Sequence, residues 1–99
     1  MEKDPLEILK QKGPELFNNI AAGRKLAYSD GALSAKHKLL IALALDAASG
    51  SANGVKFLAA QAMKAGASKD EILDALNVVY FVSGVVSVYT AAQGLVDIL

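Results

Sequence analysis

The feature that most constrains the fold is the apolar segment 39–48, LLIALALDAA, in which Asp46 is the only polar side chain. A helix that is apolar on every side is normally buried rather than amphipathic. We therefore predict a central helix, capped by Ser34 and buried on nearly all sides, that forms the core of the domain. The small residues of the turn Gly50–Gly54 follow it and lead into a second helix.

Two prolines predict helices before this central segment. Pro5 stands at a first helical position behind Asp4 as N-cap, and Pro14 stands at the start of another. These signals predict a short helix over residues 5–11 and a longer one from Pro14 to about residue 27.

Polar start signals predict the helices after the central segment. Ser51 or Asn53 can cap a helix that ends before Gly66, a residue suited to a left-handed C-terminus. Ser68 and Glu71 have the spacing of a capping box, which predicts another helix start.

The C-terminal third has two interpretations. Residues 78–89 are β-branched and aromatic around Ser83-Gly84, and taken alone they resemble a β-hairpin. The segment before Ser83 lacks the alternation of a two-faced strand, and the helix that begins at Ser68 meets no earlier stop signal. We therefore predict two helices, the second from about Gly84 to Asp97.

Composition indicates a chain that associates with itself. Of 99 residues, 54% are hydrophobic and the mean hydropathy is +0.35, more apolar material than a small monomer hides easily. The ten basic and ten acidic residues balance, so no net field favours nucleic acid or an anionic membrane as a partner. We expect one domain over residues 1–99, with neither partner.

Missing residue types exclude further functions. Without cysteine, these 99 residues cannot form disulfides or thiolate metal sites or carry out thiol redox chemistry. His37 is the only histidine, so we expect neither a metal nor a cofactor. The mixed-charge N-terminal segment lacks the apolar stretch of a secretory signal, and we expect a cytoplasmic protein.

A membrane span is the alternative for the uncharged stretch between Asp74 and Asp97. Polar residues interrupt this stretch, and no Lys or Arg anchors either end. We therefore predict a helix pair buried within an oligomer.

Asp46 is the sharpest anomaly, because it is an acid inside an apolar helix. A carboxyl in such a position can act as a general acid or base, with Lys56 of the following helix as its partner. The structural alternative is that Asp46 only pairs with Lys56, Lys64 or a backbone N–H. Asp46 and Lys56 are thus the candidate catalytic residues.

Several segments resemble the carboxymuconolactone decarboxylase and alkylhydroperoxidase D family. They are PELF at 14–17, KLLIALA at 38–44, the turn near Ser51, and MKAGASKDEI at 63–72. The resemblance covers most of the chain and implies an all-α, helical-hairpin orthogonal bundle of five to six helices. It also implies assembly into homotrimers or homohexamers.

The same resemblance implies a degenerate site. Thiol peroxidases of the family carry a Cys-x-x-Cys pair where this chain has Ser51 and Gly54. They carry a histidine at the position of Leu58 and a glutamate at that of Leu39, and the decarboxylase branch also keeps the histidine. The residues present here cannot perform thiolate attack on a peroxide.

Two functions follow as alternatives. The first is a non-redox oligomeric protein that binds a small ligand or serves as a scaffold. The second is a cysteine-independent enzyme, a decarboxylase or proton-transfer lyase acting on a small acid or lactone through Asp46, with or without Lys56.

Overall fold

The computed structural model describes residues 5–99, and this part of the chain forms six α-helices. They are α1 (Glu7–Lys12), α2 (Pro14–Tyr28), α3 (Ala35–Ser49), α4 (Ala52–Lys64), α5 (Lys69–Ser83) and α6 (Val85–Leu95). No strand occurs within residues 5–99, so the predicted all-α fold of five to six helices is confirmed. Residues 78–89 form the end of α5 and the start of α6, not a hairpin.

Serine side chains begin three of the helices, as predicted. Each serine hydroxyl accepts a hydrogen bond from the backbone N–H three residues later, which satisfies one of the free donors of the first turn. The bonds are His37 N to Ser34 Oγ (3.3 Å), Gly54 N to Ser51 Oγ (3.1 Å) and Glu71 N to Ser68 Oγ (3.0 Å). Ser68 N also donates to Glu71 Oε1 at 2.9 Å, which completes the predicted capping box.

The first helix begins later than predicted. Pro5 and Leu6 form a turn, and α1 starts at Glu7 with Leu6 as its N-cap. The predicted N-cap Asp4 lies outside the described residues. The second helix begins at Pro14 as predicted and continues to Tyr28.

The core lies between two helical hairpins, α3–α4 and α5–α6. The most extensive packing joins α3 to α4, and α4 then packs on α6. The buried core consists of Leu39, Leu43, Ala47, Val55, Leu58, Ala59, Ala62, Ala67, Ile72, Val79, Ala91 and Leu95. Small residues allow the helices to approach closely: a Cβ at Gly94 of α6 would overlap the carbonyl oxygen of Ala52 in α4.

The prediction that α3 is buried on nearly all sides is wrong for the single chain. Leu39, Leu43 and Ala47 are buried, at a spacing of four residues, but Ile41 and Leu45 are 48% and 65% exposed. The stripe formed by Leu39, Leu43 and Ala47 is buried because α4, α5 and α6 pack against it. The opposite face of α3 remains open to solvent.

A larger apolar surface covers the junction of α5 and α6. We call it the α5–α6 ridge; its members are Val78, Tyr80, Phe81, Val82, Val85, Val86 and Tyr89, which are 53% to 89% exposed. Tyr80 and Tyr89 lie on the outer face of this helix pair and are 59% and 70% exposed. None of the helices within residues 5–99 has both the length and the apolar character needed to cross a membrane.

Candidate functional site

The turn between α3 and α4 brings together three residues singled out from sequence: Asp46 near the end of α3, Ser51 in the turn and Gly54 near the start of α4. Gly50 adopts the left-handed conformation, with φ of 86°. The N–H of Ser51 donates to the Asp46 carbonyl oxygen at 2.9 Å. The N–H of Gly50 donates to the Ala47 carbonyl oxygen at 3.3 Å. These bonds close the end of α3 and place Ser51 at the start of α4.

The Asp46 side chain lies against Gly54. A Cβ at Gly54 would overlap the Asp46 carboxylate, and the Oγ of Ser51 lies 2.7 Å from that same position. Ser51 and Gly54, which the family resemblance matches to the cysteines of thiol peroxidases, are therefore adjacent, and the space beside Gly54 holds the Asp46 carboxylate. A negative charge near the first turn of α4 is favourable for the helix dipole.

Asp46 and Lys56 do not form a pair. Asp46 is half-buried, and its carboxylate accepts no hydrogen bond and forms no ion pair within residues 5–99. Lys56 is exposed and lies about 200° around α4 from Gly54, so it points away from Asp46. Lys64 is also exposed and forms no ion pair among the described residues, so the predicted structural pairing of Asp46 with a lysine is not formed.

Leu39 and Leu58 are core residues. They are 7% and 6% exposed and pack in the cluster formed by α3, α4, α5 and α6. Neither can transfer a proton, and both supply packing at the positions that the family resemblance matches to a glutamate and a histidine of thiol peroxidases. Within the described part of the chain, no three His, Cys, Asp or Glu side chains lie close enough to hold a metal ion.

One ion pair outside the turn joins α3 to α5. Lys36 Nζ donates to Glu71 Oε2 at 2.8 Å, and both side chains are partly exposed. This hydrogen bond, together with the one that Ser68 N donates, lowers the pKa of Glu71 below its usual range. Glu71 thereby links two helices in addition to capping its own.

Sequence reasoning missed a cleft between α2 and α4. It has a volume of about 570 Å³ and is lined by Arg24, Tyr28, Leu39, Phe57, Gln61, Lys64 and Ala65. Arg24 and Tyr28 share one face of α2, and Phe57, Gln61 and Lys64 share one face of α4. The helical spacing is visible in the sequence, but only the tertiary structure brings the two faces together.

Comparison with known proteins agrees with this architecture. The family model described as Carboxymuconolactone decarboxylase family matches residues 14–96. The uncharacterised protein MJ1511 of Methanocaldococcus jannaschii is 28% identical over 95 residues, which span 96% of this chain and 89% of that protein.

A solved structure shares the fold. The crystal structure of apo-lpg0406, a carboxymuconolactone decarboxylase family protein from Legionella pneumophila, matches with a TM-score of 0.85 and 31% sequence identity. The match covers 91% of this chain and 80% of that one. The chain belongs to the carboxymuconolactone decarboxylase family.

Proposed function

We propose that the chain is a non-redox, self-assembling cytoplasmic member of its family that binds a small organic ligand. The observation that carries this proposal is the content of the four positions used for thiol chemistry in its relatives. Leu39 and Leu58 are packed core residues, Ser51 is an N-cap, and Gly54 has no side chain. None of them supplies the sulfur nucleophile or the proton relay that peroxide reduction by that route requires.

The α5–α6 ridge supports self-assembly. Its seven side chains are each more than half exposed, and none of them is charged. Together they present on the order of 800 Å² of surface, close to the area that each partner contributes to a stable protein interface. Exposed apolar patches of this size mark interaction sites, and a second copy of the chain offers a matching uncharged surface.

Sedimentation analysis of charged variants tests the assembly. We expect a homotrimer or homohexamer, and we expect Phe81→Glu combined with Val86→Glu to dissociate it because two charges would be buried between subunits. Helix content from circular dichroism should be unchanged, because both side chains are exposed in the single chain.

The matched control is Leu26→Glu, at an 80% exposed position on α2 outside the ridge. This variant should remain assembled. A monomeric parent protein, or dissociation by Leu26→Glu with no effect of the ridge variant, contradicts assembly through the ridge.

A second candidate function uses Asp46 as an acid or base. It is favoured by one observation: the Asp46 carboxylate is half-buried beside Ser51 and has no partner within residues 5–99. Such a group could move a proton during decarboxylation of a small acid or lactone. Lys56 is a weaker participant because it points away from Asp46.

Turnover assays distinguish the two functions. Under the first proposal, the parent protein and Asp46→Asn behave alike and neither converts a carboxylated lactone. Loss of a measurable decarboxylation on Asp46→Asn replacement would support the enzyme instead. Consumption of hydroperoxide by the metal-free protein, in excess of its own molar amount and without added thiol, contradicts the non-redox assignment.

A further inference from the structure

We infer that the cleft between α2 and α4 binds a small aromatic carboxylate. This inference rests on the proposed ligand-binding function and specifies the class of ligand. The cleft is separate from the α3–α4 turn, since neither Asp46, Ser51 nor Gly54 lines it.

The size and walls of the cleft fit a flat apolar body. Its volume of about 570 Å³ lies inside the range of about 300–1,000 Å³ usual for small-molecule sites. Leu39, buried in the core, provides an apolar floor. Tyr28 on α2 and Phe57 on α4 supply aromatic walls, against which a ring can stack.

The charge of the cleft selects an anion. Among the residues that the structure describes, the charged side chains of its lining are Arg24 and Lys64, and both are cations. Lys64 is exposed and has no ion pair within residues 5–99, so its ammonium group is available to an anionic ligand.

Neutral donors complete the site. Tyr28 and Gln61 are half-buried residues of the lining, and the tyrosine hydroxyl and glutamine amide can both donate to a carboxylate oxygen. Cations on both helices and an apolar floor between them suit a ligand with one charged end and one flat apolar end.

Titration with 2-naphthoate tests the inference, with 2-naphthalenemethanol as the neutral ligand of the same ring. In NMR spectra of the full chain, 2-naphthoate should shift the amide signals of the cleft residues at millimolar concentration or below. The neutral alcohol should bind more weakly, because it gains nothing from the cations.

Variants separate the two halves of the site. Lys64→Gln should weaken 2-naphthoate binding by about two- to fivefold and leave the alcohol unchanged. Phe57→Ala should weaken both ligands by roughly five- to tenfold, because it removes an aromatic wall. Lys69→Gln makes the same charge change at an exposed position outside the cleft and should have no effect.

Four results would overturn the inference. They are no binding of 2-naphthoate at millimolar concentration, shifts confined to the α5–α6 ridge, equal losses for Lys64→Gln and Lys69→Gln, and occupation of the cleft by a second copy. The last appears as cleft signals that move with protein concentration instead of ligand. None of these results contradicts the proposal that the protein is non-redox and self-assembling. Peroxide turnover would contradict the non-redox proposal but would not test the cleft.

Discussion

Two helical glycines show how single atoms determine the packing of α4. At Gly94, a Cβ would overlap the Ala52 carbonyl oxygen and lie 3.0 Å from the Cβ of Val55, so the obstacle is backbone and core. At Gly54, the obstacle is the end of the Asp46 side chain together with the Ser51 hydroxyl, and these groups can rotate. The same added methyl group therefore has different costs at the two positions.

Gly94→Ala should lower the free energy of unfolding by about 1–3 kcal/mol, the usual cost of overpacking a close helix contact. Gly54→Ala should lower the free energy of unfolding by less. Adding Asp46→Ala should restore most of the lost free energy, because it removes the overlapping carboxylate. Urea denaturation of the single and double variants measures both effects.

Gly23→Ala is the control for helix propensity, because a Cβ at this position of α2 meets nothing within 4 Å. It should raise stability by about 0.5–1 kcal/mol. If Gly23→Ala and Gly94→Ala lower the free energy of unfolding equally, the packing explanation is contradicted.

At the scale of helices, Glu71 ties two elements together. Its carboxylate accepts from Lys36 of α3 and from the Ser68 N–H at the start of α5. Both bonds favour the ionised form, so the pKa of Glu71 is lower in the folded protein than in the unfolded chain. The resulting stabilisation is complete above the unfolded-state pKa and is lost as the pH falls through the folded-state value.

Glu71→Gln should therefore lower the thermal midpoint at pH 7, and its effect should shrink as the pH falls through the lowered folded-state pKa of Glu71, below which the carboxylate is protonated in both states. Glutamine can still accept from the Ser68 N–H, so the variant chiefly removes the ion pair. Thermal scans from pH 3 to pH 7 measure the difference between the variant and the parent.

Asp70→Asn makes the same charge change in the first turn of α5 and serves as the control. Its effect on the thermal midpoint should be the smaller at pH 7. If the thermal midpoint of Glu71→Gln lies below that of the parent by the same amount at every pH, the result would contradict a role for the ionised carboxylate.

At the scale of the whole molecule, the chain is less compact than a typical domain of its length. Its radius of gyration is 14.2 Å, against about 13 Å for a compact domain of this length. The first two helices contain no buried residue, and the main packing of α2 among the described helices is on α1 and α3. The exposed face of α3 and the α5–α6 ridge add apolar surface to this open shape, and both features support the proposed self-assembly.

The sequence by itself determined the local structure. Serine caps, Pro14 and the glycine stops predicted five of the six helices to within a few residues, because capping depends on groups only three or four residues apart. The absence of cysteine, together with Leu39 and Leu58, likewise settled which thiol chemistry these residues cannot perform.

The tertiary structure decided which faces are covered. The composition of α3 could not reveal that Ile41 and Leu45 are open, because burial depends on where α4, α5 and α6 lie. The sequence alone could not reveal that Lys56 points away from Asp46, or that Arg24 and Lys64 line one cleft. Contacts between residues distant in sequence arise only when helices pack, and no periodicity within one helix encodes the orientation of its neighbour.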